Sequence, residues 1–302
     1  MSIGLEVAIL PGIAIARRID KDGDLKRHLL LMPALGLLVC LGISGVCFLL
    51  GWALSTLTSL LILTNIIAVI AIRIELEPVH RTKIIQRSPW FWIFTIIAFV
   101  MAVTPLSYGT PMGVDWIGFS ALADSISRTG GFILSDPSIG TWTYPPAFPM
   151  LAAWMGGEPH ISVFILGTLC FTALLLGIAA VGEKMGCGHW TIMAMLLAPA
   201  LFAKNLDSGY PTVASQLGLI VILTMFSTKL RWEIVAVTAI IVAMIHPTGL
   251  VYLTTLVSAK LLVSKSESIS LTEKIQYSFL ALVTIFVILI LAPTFDGDAV
   301  FA

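Results

Sequence analysis

Gly113-Val114-Asp115-Trp116 opens, and Gly140-Thr141-Trp142-Thr143-Tyr144-Pro145-Pro146-Ala147-Phe148-Pro149 closes, a polar segment that lies between long apolar runs and holds three of the chain's seventeen acidic residues. Its reading decides the fold, because the sequence on either side of it is that of a membrane. With 58% hydrophobic residues, 11% charged residues and a mean hydropathy of +1.01, the chain is more apolar than a soluble globule, in which roughly a quarter of residues are charged. The composition predicts an all-α polytopic integral membrane protein, one membrane domain over 1–302 with no soluble domain. Acidic and basic residues balance at seventeen each, so net charge gives no support for a nucleic-acid partner, and none is expected. Cys40, Cys47 and Cys170 lie in apolar runs and Cys187 in a short connector, which reads as small buried hydrophobes rather than a disulfide framework. Residues 1–16 carry Glu6 and are followed, not preceded, by Arg17-Arg18, so the first segment is expected to stay in the mature protein.

Working outward, a bilayer core of ~30 Å calls for about 20 helical residues. Upstream of the polar segment lies a run at 90–107 that opens on the interfacial anchor Trp90-Phe91-Trp92, preceded by the polar stretch 73–87. Before that come 55–72 and 29–53, joined around Gly51-Trp52, and a short run at 3–16 closed by Pro11-Gly12 and a charge-rich connector. Downstream are 160–181, 190–203, 212–228, 233–263 and 275–292, for about nine membrane helices in all. As one helix, 233–263 would be about 46 Å long, and His246-Pro247-Thr248-Gly249 interrupts it, so it reads as two short helices forming a hairpin. The connectors 17–27, 73–87, 183–189, 229–232 and 260–274 hold fifteen of the seventeen basic residues, leaving Arg128 and Lys204. By the positive-inside rule these five connectors are cytoplasmic. The N-terminus, the 108–159 loop, the 204–211 connector and the His246 turn then share the extracytoplasmic face of the plasma membrane.

Within the loop, 115–129 reads as an amphipathic interfacial helix with Trp116, Phe119, Leu122, Ala123 and Ile126 on one side. Asp115 stands at its N-terminus, where the helix dipole favours a carboxylate; it either caps the helix or does chemistry. The pattern Pro111-Met112-Gly113-Val114-Asp115-Trp116, then a helix, then Trp142-Thr143-Tyr144-Pro145-Pro146-Ala147-Phe148-Pro149 resembles the first extracytoplasmic loop of GT-C-type membrane glycosyltransferases. Leu10-Pro11-Gly12, the basic connector and Pro33-Ala34-Leu35-Gly36-Leu37 are also similar to relatives of that superfamily. The resemblance implies a polyprenyl-phosphate-linked sugar as donor, a glycan, lipid or protein as acceptor, and an acidic loop residue as general base or metal ligand, a role that maps onto Asp115. Superfamily members are usually longer, so the chain reads as a fragment, a reduced member or one half of an assembly.

On that reading the leaving phosphate needs positive charge, and Arg128 and Lys204 are the cations on this face, or else snorkelling residues at the headgroups. Trp116 belongs to the resembling motif, and Trp142 and Tyr144 either stack on a sugar ring or anchor the interface. Asp207-Ser208-Gly209-Tyr210-Pro211, with Asp207 and Tyr210 as its binding residues, either closes over substrate or is a routine turn. His246 is a second polar site residue or a helix-break histidine bonded to a carbonyl. A divalent metal has no supporting ligand cluster: Glu158-Pro159-His160 supplies two of the about four ligands a closed site needs. Two other classes compete. A transporter or lipid flippase is suggested by broken helices but lacks a central charged residue within a span, and a noncatalytic subunit would keep the scaffold alone. No phosphate-binding glycine loop, Cys-rich metal motif or Gly-x-Ser-x-Gly elbow is present.

Overall fold

A computed structural model describes residues 2–74, 89–129, 144–226 and 230–263. Among the described residues every regular element is helical and there is no strand. That follows from the composition: in apolar surroundings a backbone must satisfy its own N–H and C=O groups, and a helix does so within one segment. Helices α1 (Ser2–Ile19), α2 (Leu25–Leu49), α3 (Leu54–Ile74) and α4 (Pro89–Val103) precede the polar segment, with α4 running into a 3-10 turn, Thr104–Tyr108. The segment contributes α5 (Asp115–Thr129) and α6 (Ala147–Met155). After it come α7 (Pro159–Lys184), α8 (Gly188–Leu196), α9 (Pro199–Leu206), α10 (Tyr210–Ser215), α11 (Leu217–Thr224), α12 (Trp232–Ile245) and α13 (Pro247–Val263). Four stretches, Leu25–Leu49, Leu54–Arg73, Pro89–Tyr108 and Pro159–Lys184, are long and apolar enough to cross a bilayer. Exposed Ile62, Ile66 and Ile70 on α3 and Ile96, Phe99 and Val100 on α4 form an apolar surface compatible with a membrane setting.

The structure departs from the apolar-run reading in four places. Pro11-Gly12 does not close α1, which continues to Ile19. Gly12 instead lets α2 approach: a Cβ there would collide with the Met32 carbonyl and lie 2.8 Å from the Gly36 nitrogen. The expected 190–203 span is two short helices, because Pro199 has no N–H to continue α8 and starts α9 instead. The run 212–228 likewise divides into α10 and α11 at Gln216. Finally, the 108–159 loop contains a buried helix, α6, whose Ala147–Ala153 are all inaccessible. Pro145, Pro146 and Pro149 argue against a helix there, yet Pro146 is the N-cap and Pro149 sits in the first turn, where no N–H is needed. The apolar side of α5, through Phe119, Leu122, Ala123 and Ile126, is buried, and α5 packs against α6 and α7. The 275–292 run lies outside the described residues.

Among the described residues a cluster of charges closes one end of the bundle. There the buried Asp20 carboxylate takes Arg27 Nε at 2.5 Å and Nη2 at 3.1 Å, and Lys184 Nζ at 2.9 Å. His28 Nε2–H donates to the Asp20 carbonyl at 2.8 Å, and Lys184 also donates to the Thr224 carbonyl at 2.6 Å. One carboxylate therefore ties the ends of α1, α2 and α7 together, and Lys184 extends the tie to the end of α11. Lys260 Nζ, near the end of α13, donates to the Phe226 carbonyl just past the end of α11. Both flanks of α12–α13 thus lie at one end, and Gly249 at the start of α13 abuts Val242 near the end of α12: the pair is a hairpin folded back at His246-Pro247.

Burial by itself raises the Asp20 pKa, but the hydrogen bonds and charges of Arg27 and Lys184 outweigh it and hold the carboxyl below its ordinary value. A lowered folded-state value stabilises the protein above the unfolded pKa and is lost as pH falls through the folded one. Asp20→Ala, which strands two cations in a low-dielectric site, is expected to cost about 3 kcal/mol. Thermal unfolding of the detergent-solubilised protein should show that loss at neutral pH. The difference from wild type should shrink as pH falls below about 4.

Candidate functional site

At the opposite end of the bundle, segments distant in sequence meet around the N-terminus of α5. Gly113, at φ +82°, makes the turn into the helix and lies flat on the next strand of chain: a Cβ there would be 2.6 Å from the Asp207 carbonyl oxygen. Trp116 N–H donates to Ser208 Oγ at 3.2 Å, and its indole N–H donates to the Gly113 carbonyl at 3.2 Å. A first-turn amide, which has no partner within its own helix, is thus capped from across the fold by Ser208. Ser208 is fully buried and stands at φ +57°, a left-handed backbone conformation uncommon for a residue with a side chain. With the cap supplied by Ser208, Asp115 is released from that duty. Among the described residues its carboxylate takes part in no hydrogen bond.

The charged groups then fall into place. Lys204 Nζ is 3.7 Å from Asp207 Oδ2, one turn apart at the end of α9. Partial burial, and next the negative charge of Asp207, raise the Asp115 pKa above its ordinary value, with Lys204 acting in the opposite sense. Tyr144 is driven well above the usual phenol range, first by burial and then by the Asp115 charge, so it remains a hydrogen-bond donor. Its ring packs edge-on against Phe119 at 4.8 Å and lies 5.7 Å from His246. Burial, and then Lys204, push His246 down to about 4, so the ring is neutral at neutral pH. The Thr248 N–H donates to its Nδ1 at 3.1 Å, which puts the ring proton on Nε2. His160, at the start of α7, faces Trp116 at 6.3 Å.

Of the residues singled out from the sequence, Asp115, Trp116, Tyr144, Lys204, Asp207 and His246 therefore converge. Arg128 does not. It sits at the far end of α5, about 20 Å along the axis from Asp115, and pairs with Asp124 at 2.6 Å on an exposed face. Tyr210 follows the site in sequence but turns into the core, stacked on Phe148 at 6.4 Å and seated on Gly167. Among the described residues its buried hydroxyl has no hydrogen-bond partner. Trp142 lies outside the described residues. Among the described residues no group of three His, Cys, Asp or Glu is placed to hold a metal ion. Sequence reasoning missed Ser208 and Gly113 as site-forming residues. Gly113, two residues before a helix-opening Asp, carried some signal; Ser208 carried none.

The arrangement offers a carboxylate more basic than free aspartate, a second carboxylate and an ammonium beside it, neutral donors from Tyr144 and His246, and aromatic walls. This combination suits proton abstraction from a hydroxyl next to an anionic leaving group. Comparisons with known protein families, with curated proteins and with solved structures find no match for this chain.

The His246 shift has a defined sign. A histidine near its ordinary value in the unfolded chain but depressed to about 4 in the fold binds more protons unfolded, so stability falls as pH drops from about 6.5 towards 4. His246→Gln should flatten that part of the melting temperature against pH curve while leaving the curve above pH 7 unchanged in slope.

Proposed function

We propose that this chain is an inverting glycosyltransferase of GT-C type. It moves a sugar from a polyprenyl-phosphate donor to the hydroxyl of a glycan, lipid or protein acceptor, at the extracytoplasmic face of the plasma membrane, on a scaffold of about nine membrane helices. The observation that carries the reading is the meeting of Asp115, Asp207, Lys204, Tyr144 and His246, from four separate parts of the chain, at the end of the bundle opposite the Asp20 cluster. A basic carboxylate, a flanking cation and aromatic rings are the parts that sugar transfer from a lipid phosphate requires.

In this mechanism the acceptor oxygen attacks the anomeric carbon from the face opposite the phosphate. The bond from that carbon to the phosphate oxygen breaks, and its electron pair leaves with the phosphate. Asp115 takes the acceptor proton, and its raised pKa makes it the better base for the task. Lys204 meets the negative charge that develops on the leaving phosphate. Tyr144 and Trp116 flank the sugar, with the neutral His246 ring packed behind Tyr144. Asp207 keeps Lys204 oriented and raises the basicity of Asp115. Arg128 has no part in this scheme, since it is paired with Asp124. The helix breaks at Ala198-Pro199 and His246-Pro247 favour a second reading, a transporter or lipid flippase, because interrupted helices build such sites.

Purified protein in proteoliposomes, supplied with labelled polyprenyl-phosphate sugars and acceptors, is expected to transfer sugar. Asp115→Asn should lower the rate by about 10²-fold or more, with donor binding retained. Translocation of the labelled lipid between leaflets without transfer would replace this reading with the flippase. Retention of full activity in Asp115→Asn would remove the base from Asp115.

A further inference from the structure

The contact between Ser208 and the N-terminus of α5 does more than close a turn. Asp115 and Asp207 belong to segments ninety-two residues apart in chain order, and neither carboxylate holds the other. What brings them together is their backbone neighbours. Gly113 is pressed against the Asp207 carbonyl, where any side chain would clash at 2.6 Å. One residue on, Ser208 is fully buried in a left-handed conformation and receives the Trp116 amide on its Oγ at 3.2 Å. A non-glycine residue persists in that region only when its surroundings fix it, and such positions gather at sites where geometry matters. Glycine would take this φ freely but would leave the Trp116 N–H without its cap.

We propose that Ser208 is a positioning residue: by accepting the Trp116 N–H from a left-handed backbone it locks the 204–209 connector to the start of α5, so that Asp207 and Lys204 stand beside Asp115 and the three act as one unit. This rests on the glycosyltransferase reading for its consequence in catalysis, but not for the coupling itself. Among the described residues the groups facing Asp115 are Asp207 and Lys204 from the connector and Tyr144 from the segment before α6; His246, from the α12–α13 turn, lies beyond Tyr144. His160, from α7, faces the neighbouring Trp116. Of these, Asp207 raises the affinity of Asp115 for a proton and Lys204 lowers it by less, while burial raises it most; releasing the connector removes both charges and part of the burial, and the net effect is a lower affinity.

The test compares wild type with Ser208→Gly, which relieves the backbone and removes only the acceptor, and Ser208→Asn, which tolerates the same φ and restores a side-chain oxygen. Asp207→Asn serves as the reference for lost coupling; its side chain is 60% exposed, so the fold does not depend on it. Two readouts are taken in proteoliposomes: the acid limb of the sugar-transfer rate, and the infrared titration of the carboxyl band that disappears in Asp115→Asn. In Ser208→Gly, the Asp115 midpoint is expected to move to lower pH, in the direction seen with Asp207→Asn, by roughly half a unit to one unit. Transfer at neutral pH should fall by about tenfold. Ser208→Asn should remain at the wild-type midpoint.

A wild-type midpoint in Ser208→Gly would overturn the proposal. So would a shift in Ser208→Asn as large as in Ser208→Gly, or a rate lost in both with the midpoint unmoved, which marks a merely structural residue. If wild type transfers no sugar at all, the glycosyltransferase reading fails, and the infrared titration still decides whether Ser208 couples the two carboxylates.

Discussion

A single carboxylate, with no access to solvent, holds the ends of three helices together and, through one lysine, reaches a fourth. Asp20 could not stay ionised in that position alone, since removing an ion from water costs several kcal/mol. Arg27 and Lys184 supply both charge and hydrogen bonds, and Lys184 reaches on to the last turn of α11. The ends of α1, α2, α7 and α11 are thereby fixed relative to one another. Their other ends, and the segments between them, then have limited freedom, and it is at that far end that Asp115, Asp207 and His246 are brought into range. The anchor and the site are separated by the length of the bundle, an economical division: one end bears the fixed ion pairs, and the other keeps a carboxylate with no hydrogen-bond partner among the described residues.

That difference between the two ends also explains the electrostatics. At the Asp20 end, hydrogen bonds win over desolvation and lower a carboxyl; at the Asp115 end, desolvation and a like charge win and raise one. The two aspartates are chemically identical, and environment alone moves one carboxyl down and the other up. Tyr144 and His246 follow the same logic. Burial keeps each of them neutral, so the site offers hydrogen-bond donors with no added positive charge beyond Lys204.

Much of this was legible in the residues, and for physical reasons. Long apolar runs give helices because the backbone has no other way to satisfy itself, and α5 shows its limits through the 3.6-residue period of Trp116, Phe119, Ala123 and Ile126. The His246-Pro247 break is visible because proline removes a donor. The grouping of basic connectors anticipated that 17–27, Lys184, Arg231 and Lys260 lie at one end. Less legible were features that depend on contacts across the fold. Asp20 sits in a connector among Arg17, Arg18 and Lys21 and looks like a solvated charge; only packing shows it buried. Ser208 has no sequence pattern, because its role arises from a backbone angle and a partner far away in the chain. Helix α6 was hidden by its prolines, whose harmlessness depends on their falling in the first turn. Tyr210 reads as a site residue because it belongs to the Asp207–Pro211 connector, but its helix turns the ring inward.

The α12–α13 hairpin has one further consequence, for the cost of burial. Between Glu233 and Lys260 there is no Asp, Glu, Lys or Arg, and the one titratable group at the fold-back, His246, is held neutral. The pair therefore carries no fixed charge from its base to its tip. It packs against the other helices with no ion to strip of water, and the corner His246-Pro247-Thr248-Gly249 reaches the candidate site without the penalty that a buried charge would impose there.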